Sequence, residues 1–525
     1  MLSKTRLFWL IVFISILIFL GLSFKNPFGV RSLVANLEPF PDALYYSAPA
    51  WNLIHGKGFN MSVFSWRAEQ IVPPLYSFYL VPFFAVLCDV RAFYYANILL
   101  LLGTIIFFNL ILKKIFRENL LVVALLSFMF VTNFYIYNLP SLLMAENISL
   151  FFLMSGLYLL LSKTTKINVI LLAVWGVLLW LIKFSNLPLG LTFYLFVMIK
   201  IFLKKTGKPF RKTFIYSSVV IGLVFISYLY FSKILLVQKD VGGAKIFSVA
   251  YFIPNLKLYL GNLFGGQTHY LWFQEHFFVP FAGFFILIGL FIGLLKKGSR
   301  LAMVTLLTFI AGLIIFMSFF YVQDARYLLV VFPLWLVPLG FLVEYIQRKL
   351  GRLLTTILII VLLAILLTAK SFGYRPNERL IITFKKQLSL NFKYKEDPWN
   401  YLAVQKFNQF FKQKEFRGSY LGTFLPPFYI NFFYNQQFRY LPLMESQDFF
   451  PGRNGFLEQM GVTNLREYYR KLLKTNQSVF VSNYYVANLR NWQERFDDLK
   501  NDFELILRQS GCYNVCNIYQ LQLKQ

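Results

Sequence analysis

From residue 7 to residue 370 the chain is mostly a series of apolar runs separated by short polar turns. A helix needs about 20 apolar residues to cross the ~30 Å hydrocarbon core of a bilayer. Runs of that length, repeated, leave little choice but helices that close their own backbone hydrogen bonds. Spans are predicted near 7–24, 92–112, 119–137, 142–161, 167–183, 187–203, 213–236, 277–295, 301–320, 328–347 and 353–370. PPLYSFYLVPFFAVLC at 73–88 is also apolar, but its prolines predict a short interfacial or re-entrant helix. The fold class is therefore α-helical, polytopic and membrane-embedded, with about 11–13 transmembrane helices. The N-terminal MLSKTRLFWLIVFISILIFLGLSF starts positive, lacks a small-x-small cleavage site and reads as an uncleaved first span.

Composition excludes a soluble domain. Of 525 residues, 58% are hydrophobic and only 14% charged, against roughly 25% charged in a typical soluble protein. The net charge of +29 would suit nucleic acid if it formed a patch. Instead, before residue 370, most Lys and Arg fall in clusters between apolar runs, such as KKIFR at 113–117, KKTGKPFRK at 204–212, KKGSR at 296–300 and QRKLGR at 347–352. These clusters alternate with the spans so that all fall on one side, as cytoplasmic loops do. The expected location is the cell membrane, multi-pass, with a cytoplasmic N-terminus. Segments 25–73 and 237–276 and the whole tail then lie outside the cytoplasm.

The chain divides into a membrane part, 1–370, and a tail, 371–525, whose apolar runs are short. In the tail, SYLGTF and SVFVSNYYV read as buried strands, and LREYYRKLLK and LRNWQERFDDLKND as amphipathic helices. FELILRQS and NIYQLQL read as a hairpin closing around GCYNVC. A small extracytoplasmic mixed α/β domain is expected. Cys512 and Cys516 lack further Cys or His for a metal site, and their spacing leaves a short disulfide open if that end meets an oxidising space. Cys88 reads as packing.

Carboxylates are sparse in the membrane part. The bias of inner loops toward Lys and Arg accounts for Glu69, Asp89 and Asp240 outside. It accounts less well for Glu146, read as about a turn into a span in NLPSLLMAENISLFF, where an unpaired acid is costly. Asp324, in YVQDARYLL beside Arg326, is similar. Lys183, ending a span in LLWLIKFSNLPLG, and Arg326 are cations on the outer side. Each alone could be a snorkelling side chain. Together with the acids they suggest a charged site at the outer face, suited to an anionic group at headgroup level such as a lipid-linked phosphate.

These pieces carry a resemblance. DALYYSAPAWNLIHGKGF followed by PPLYSFYLVPFF resembles the first outer loop of the GT-C superfamily of membrane glycosyltransferases, in the protein mannosyltransferase-like branch that includes lipid A aminoarabinose transferases. MAENISLFFLMSGLYLL, LLWLIKFSNLPLGL and QDARYLLVVFPLWLVPLG resemble later segments in the same order. The resemblance covers most of 35–345. It implies an inverting enzyme that moves a sugar from a polyprenyl-phosphate donor to an acceptor outside the cytoplasm, whether protein, lipid or polysaccharide. It implies Asp42 as the carboxylate acting on the acceptor, and Lys183 and Arg326 as ligands of the donor phosphate. Lys183 stands where many relatives have Arg, so a bidentate contact there is in doubt.

Glu38, Tyr45, Tyr46, His55, Glu146, His269 and Asp324 complete the candidate set as substrate contacts. Asp42 also suits the N-cap of a helix through ALYYSAPAW, and a cap and a base are not exclusive. His55 precedes a Gly-containing turn. His269 and His276 flank YLWFQE, a spacing too weak for zinc with only Glu275 between, so substrate-loop or packing roles are expected. A divalent cation (Mg or Mn) on Glu38 or Asp42 is an alternative source of charge stabilisation, but no dedicated cage is present and transfer without metal is expected. Two other classes are open to a chain of this composition. A transporter or flippase for a lipid-linked glycan would favour midplane charges and matching halves, which the sequence lacks. A non-catalytic membrane scaffold needs neither.

Overall fold

A computed structural model describes residues 3–23, 42–60, 72–117, 119–163, 165–203, 240–241, 244–245, 247–264, 282–320, 324–351, 353–357, 406–423, 438–443, 461–484, 492–511 and 517–524, with a few isolated positions. The predicted span 213–236, most of 353–370, and Glu38, His269, His276, Cys512 and Cys516 lie outside the described residues. The chain forms two compact units. One comprises Met1–Phe24, Val72–Tyr79 and Tyr95–Phe392, the other Lys25–Ile71, Leu80–Tyr94 and Lys393–Gln525.

The first unit is helical. Its helices are α1 (Lys4–Ser23), the start of α3 (Leu75–Leu87), most of α4 (Phe93–Phe116), α5 (Leu120–Val131), α6 (Phe134–Asn138), α7 (Glu146–Leu161), α8 (Lys166–Ile182), α9 (Leu187–Leu203), α10 (Phe252–Leu263), α11 (Ala282–Leu295), α12 (Arg300–Ser318) and α13 (Phe332–Leu350); α2 (Asp42–Ile54) belongs to the second unit. Among the described residues, Lys4–Ser23, Val90–Phe116 and Arg300–Ser318 are long and apolar enough to cross a membrane, and several shorter helices are equally apolar. Their outward faces are apolar too. Phe13, Phe284 and Phe291 are 55%, 62% and 65% exposed. Helices hydrophobic on all sides need lipid where they do not meet protein, and this is a membrane protein.

Close helix contacts rest on small residues. At Gly190 a Cβ would run into the Gly176 carbonyl, and at Gly289 into the Pro338 carbonyl, so α8–α9 and α11–α13 pack backbone to backbone.

Two predicted spans are corrected. The 119–137 run is not one helix: α5 and the short helical stretch after it bend by 52°. Thr132 Oγ1 donates back to the Phe128 carbonyl (2.8 Å) and Asn133 caps the new start, accepting from the Tyr135 N–H at 3.0 Å. Such side chains offer the backbone alternatives to a continuous helix. The 142–161 run starts its helix only at Glu146, for reasons given below.

In the second unit α2 ends in a Schellman turn. Gly56 has φ +71° and the Lys57 N–H returns to the Asn52 carbonyl at 2.9 Å, a geometry that favours glycine. The tail carries a five-stranded sheet of β3 (Tyr420–Thr423), β4 (Arg439–Pro442), β5 (Val479–Ser482), β6 (Phe503–Gln509) and β7 (Ile518–Leu523), in the order β4-β3-β5-β7-β6; β1 (Asp240–Val241) and β2 (Ala244–Lys245) form a separate pair in the first unit. β3 pairs in parallel with β4 and β5, and β7 runs antiparallel to β5 and β6. Phe407, Phe410, Phe411, Phe438 and Phe480 pack the core. Helix α14 (Leu465–Lys474) is anchored by Arg466 and Arg470, both on Asp502 at 2.7 and 2.5 Å.

Candidate functional site

Glu146 is 1% exposed and is the first residue of α7. It starts the helix because the preceding backbone is held by side chains instead. After a single 3-10 turn at Leu139–Ser141, Leu142 is extended. Asn97 Nδ2 donates to the Leu142 and Pro140 carbonyls at 2.9 and 3.2 Å. Asn147 Nδ2 reaches the carbonyls of Leu139, Leu142 and Met144 at 3.3, 3.2 and 3.1 Å. The Tyr76 hydroxyl donates to Asn97 Oδ1 at 2.7 Å. A buried carbonyl left unpaired costs about 1–3 kcal/mol, so these amides make the unwound stretch tolerable in an apolar setting.

Lys183 is brought to Glu146 by a corner. It caps α8 with extended backbone, φ −158° and ψ 136°, and a 3-10 turn at Phe184–Asn186 leads into α9. Asn186 Nδ2 ties this corner to α7 through Ser149 Oγ (2.7 Å) and to α8 through the Leu179 carbonyl (3.1 Å). Lys183 Nζ and Glu146 Oε1 form an ion pair.

The second pair is local. Asp324 caps the 3-10 helix Ala325–Val330, accepting from the Arg326 N–H at 2.9 Å. Its other oxygen lies 2.5 Å from Arg326 Nε, at an angle off that of a hydrogen bond. Asp324 is fully buried and Arg326 8% exposed. The Tyr327 ring joins the pairs, with Lys183 Nζ 4.6 Å and the Arg326 guanidinium carbon 5.5 Å from its centroid. Such contacts stabilise a cation on an aromatic face. Burial pushes the Asp324 carboxyl up to about 6, while the Arg326 charge pulls the other way and Lys183 and Glu146 are also felt. Among the described residues, two cations and two carboxylates share one buried cluster and balance in charge, so an incoming anion competes there with a carboxylate or meets a protonated one.

The sequence-derived candidates divide accordingly. Glu146, Lys183, Asp324 and Arg326 come together in the first unit. Asp42, Tyr45, Tyr46 and His55 lie in the second. Asp42 is the half-buried first residue of α2. Tyr45 and Tyr46 are buried, and burial, with the Asp42 charge adding to it, pushes the Tyr45 phenol up. His55 is exposed, with Nδ1 2.8 Å from the Trp51 carbonyl and its ring 4.5 Å from that of Trp51, a packing arrangement at a helix end. Asp89, read as an outer acid, caps Val90–Ala92 and pairs with Arg91 at 2.7 Å. Tyr327, Asn97, Asn147 and Asn186 escaped sequence reasoning, although an Asn within an apolar run is itself a signal of a polar function inside a bundle. Among the described residues no three His, Cys, Asp or Glu side chains gather as a metal site.

No protein-family model matches the sequence, and no curated protein matches it. Solved structures do. The chain is similar to ArnT from Cupriavidus metallidurans bound to undecaprenyl phosphate, with a TM-score of 0.60 at 11% identity over 99% of this chain and 98% of that one. It is similar to apo ArnT from the same organism, with a TM-score of 0.58 at 11% identity over 97% of each. The oligosaccharyltransferase of Archaeoglobus fulgidus tethered to an acceptor peptide gives 0.50 at 10% identity, over 99% of this chain and 74% of that one. The chain shares the fold of the two ArnT structures over nearly its whole length.

Proposed function

We propose that the protein is an inverting glycosyltransferase of the GT-C superfamily, using a polyprenyl-phosphate-linked sugar and an extracytoplasmic acceptor. The observation that carries this reading is the buried cluster in which Lys183 and Arg326 share the Tyr327 ring, each held by a carboxylate. A lipid-linked phosphate is the anion such a site suits, and undecaprenyl phosphate is bound in the ArnT structure.

In this reading the acceptor hydroxyl attacks the anomeric carbon as the bond from that carbon to the phosphate oxygen breaks. The phosphate leaves with the electron pair, and Lys183 and Arg326 hold the charge that grows on it. Asp42 takes the hydroxyl proton late in the step. A phosphate leaving group needs charge stabilisation more than a proton. If a divalent cation takes part, Asp42 and Glu38 are the oxygen ligands for it; no step above is routed through it. The N-terminus is cytoplasmic and the five-stranded sheet outside.

The test uses Asp42→Asn in the full chain, assayed in membranes with polyprenyl-phosphate sugars. Folded, membrane-inserted D42N is expected to lose transfer by roughly 100-fold or more, the scale of a general-base loss, while wild type keeps its activity in chelator. Wild-type rates in D42N would remove Asp42 from the mechanism. Loss in chelator would bring the metal in. No transfer by wild type with any such donor would favour a flippase or scaffold.

A further inference from the structure

A second polar site lies far from the charged cluster. A cleft of about 550 Å³ is lined by Arg117, Asn119, Lys296, Ser299, Glu344 and Arg348, among others. It is formed where α4, α11 and α13 end and α5 and α12 begin. Helix α13 starts just after the Asp324–Arg326 turn and carries Arg348 sixteen residues beyond Phe332, about 24 Å along its axis at 1.5 Å per residue. The cleft and the cluster therefore lie near opposite boundaries of a ~30 Å hydrocarbon layer.

Its charge is uneven. Lys296 Nζ is held by Glu344 Oε2 at 2.7 Å, and Asn119 Nδ2 by Gln347 Oε1 at 2.8 Å. Arg117 and Arg348 are exposed, and neither has a carboxylate partner among the described residues; Glu118 lies outside them. Among the described residues, the only lining carboxylate is the one already spent on Lys296. Two guanidinium groups at one cleft match a phosphate, which accepts their paired N–H groups. Next to the lining in sequence, Leu295 and Leu301 are 75% and 63% exposed, apolar surface at the same level. Basic pockets between membrane helices take lipid headgroups.

We infer that this cleft binds a phosphate group through Arg117 and Arg348, and that the phosphate is the headgroup of an anionic lipid in the leaflet at that face. Neither arginine belongs to the transfer chemistry, so the inference stands apart from the proposed function.

The full chain in neutral detergent, titrated with phosphatidylglycerol and, separately, phosphatidylcholine and read by native mass spectrometry, tests it. Arg117→Gln with Arg348→Gln is compared with wild type, with melting temperature in lipid-free detergent as the check on folding. Wild type is expected to prefer phosphatidylglycerol. Removing both arginines should weaken that lipid roughly 25-fold, about fivefold per charge, with melting and sugar transfer unchanged. Glu344→Gln should strengthen it, which a merely structural role for the cleft would not do. Binding should weaken with added salt. A double variant that binds phosphatidylglycerol as wild type does overturns the site. Protection of wild type, but not the double variant, by millimolar inorganic phosphate without any lipid preference overturns the lipid as source.

Discussion

Two buried acids explain much of the site, and they are unlike each other. Glu146 meets Lys183 across 37 residues of sequence, whereas Asp324 and Arg326 are two residues apart in one capped turn. Removing one partner of a buried pair costs about 3–5 kcal/mol, but replacing both by neutral groups is far milder. Lys183→Gln should therefore lower the melting temperature strongly, and Glu146→Gln with Lys183→Gln should recover most of the loss. The recovered protein should still bind donor poorly, if Lys183 holds its phosphate; a double variant with wild-type KM for donor would remove Lys183 from the donor site. Asp324 makes a pH prediction. Its folded carboxyl titrates near 6 against an ordinary 3.8, so the folded state binds the proton more tightly. The stability this group contributes is present below pH 3.8 and falls as pH rises to about 6. Asp324→Asn keeps an oxygen to cap the Arg326 N–H and cannot titrate. Melting temperature followed from pH 4 to pH 7 should lack that fall in D324N, and donor affinity above pH 6 should rise because no carboxylate competes for Arg326. An unchanged pH profile would mean that Asp324 is not the titrating group.

At the scale of elements, the site depends on helix ends more than on helices. α8 and α9 meet with Gly176 against Gly190, and the corner between them carries Lys183. Gly190→Val must push the two helices apart, because its Cβ would strike backbone that has no rotamer to yield. A loss of about 1–3 kcal/mol is expected for such overpacking, together with a weaker donor KM, measured by thermal unfolding and donor titration. If only stability changed, the corner would not position Lys183. Apolar helices were legible because apolar length is written directly in the chain. Their breaks were not. The late start of α7 depends on Asn97, 45 residues before the Leu142 carbonyl it binds, and the bend after α5 on Thr132 and Asn133. The same Asp-x-Arg spelling occurs at Asp89–Arg91 and Asp324–Arg326, and both build a capped 3-10 turn with an ion pair. The second stands beside a further buried pair, Glu146–Lys183, which local spelling does not encode.

For the molecule as a whole, the basic clusters predict which side each segment faces. In a chain whose native cysteines are replaced, Lys474→Cys on α14 should react with an impermeant maleimide in intact cells. Lys297→Cys, after α11, should react only once the membrane is opened. Both positions are exposed. Labelling of Lys297→Cys from outside would invert the topology and place the arginine cleft in the outer leaflet. The tail shows both predicted strands, the amphipathic helix at 465–474 and the closing hairpin, whereas LRNWQERFDDLKND is broken into two short helices, Trp492–Asp497 and Leu499–Asp502, and β4 was not foreseen. Its parallel β3–β5 pairing and the order of its strands come from contacts distant in sequence.

Apolar length, the alternation of basic clusters and period-two strands determined from sequence alone that the chain is a membrane bundle followed in sequence by a mixed sheet. Those signals are local, set by transfer free energy residue by residue. Tertiary structure decided which charges share a cluster, because a buried ion forms only with the partner that packing delivers. It drew Glu146 to Lys183, brought both cations to the Tyr327 ring, and left Arg117 and Arg348 together at the far end of the bundle.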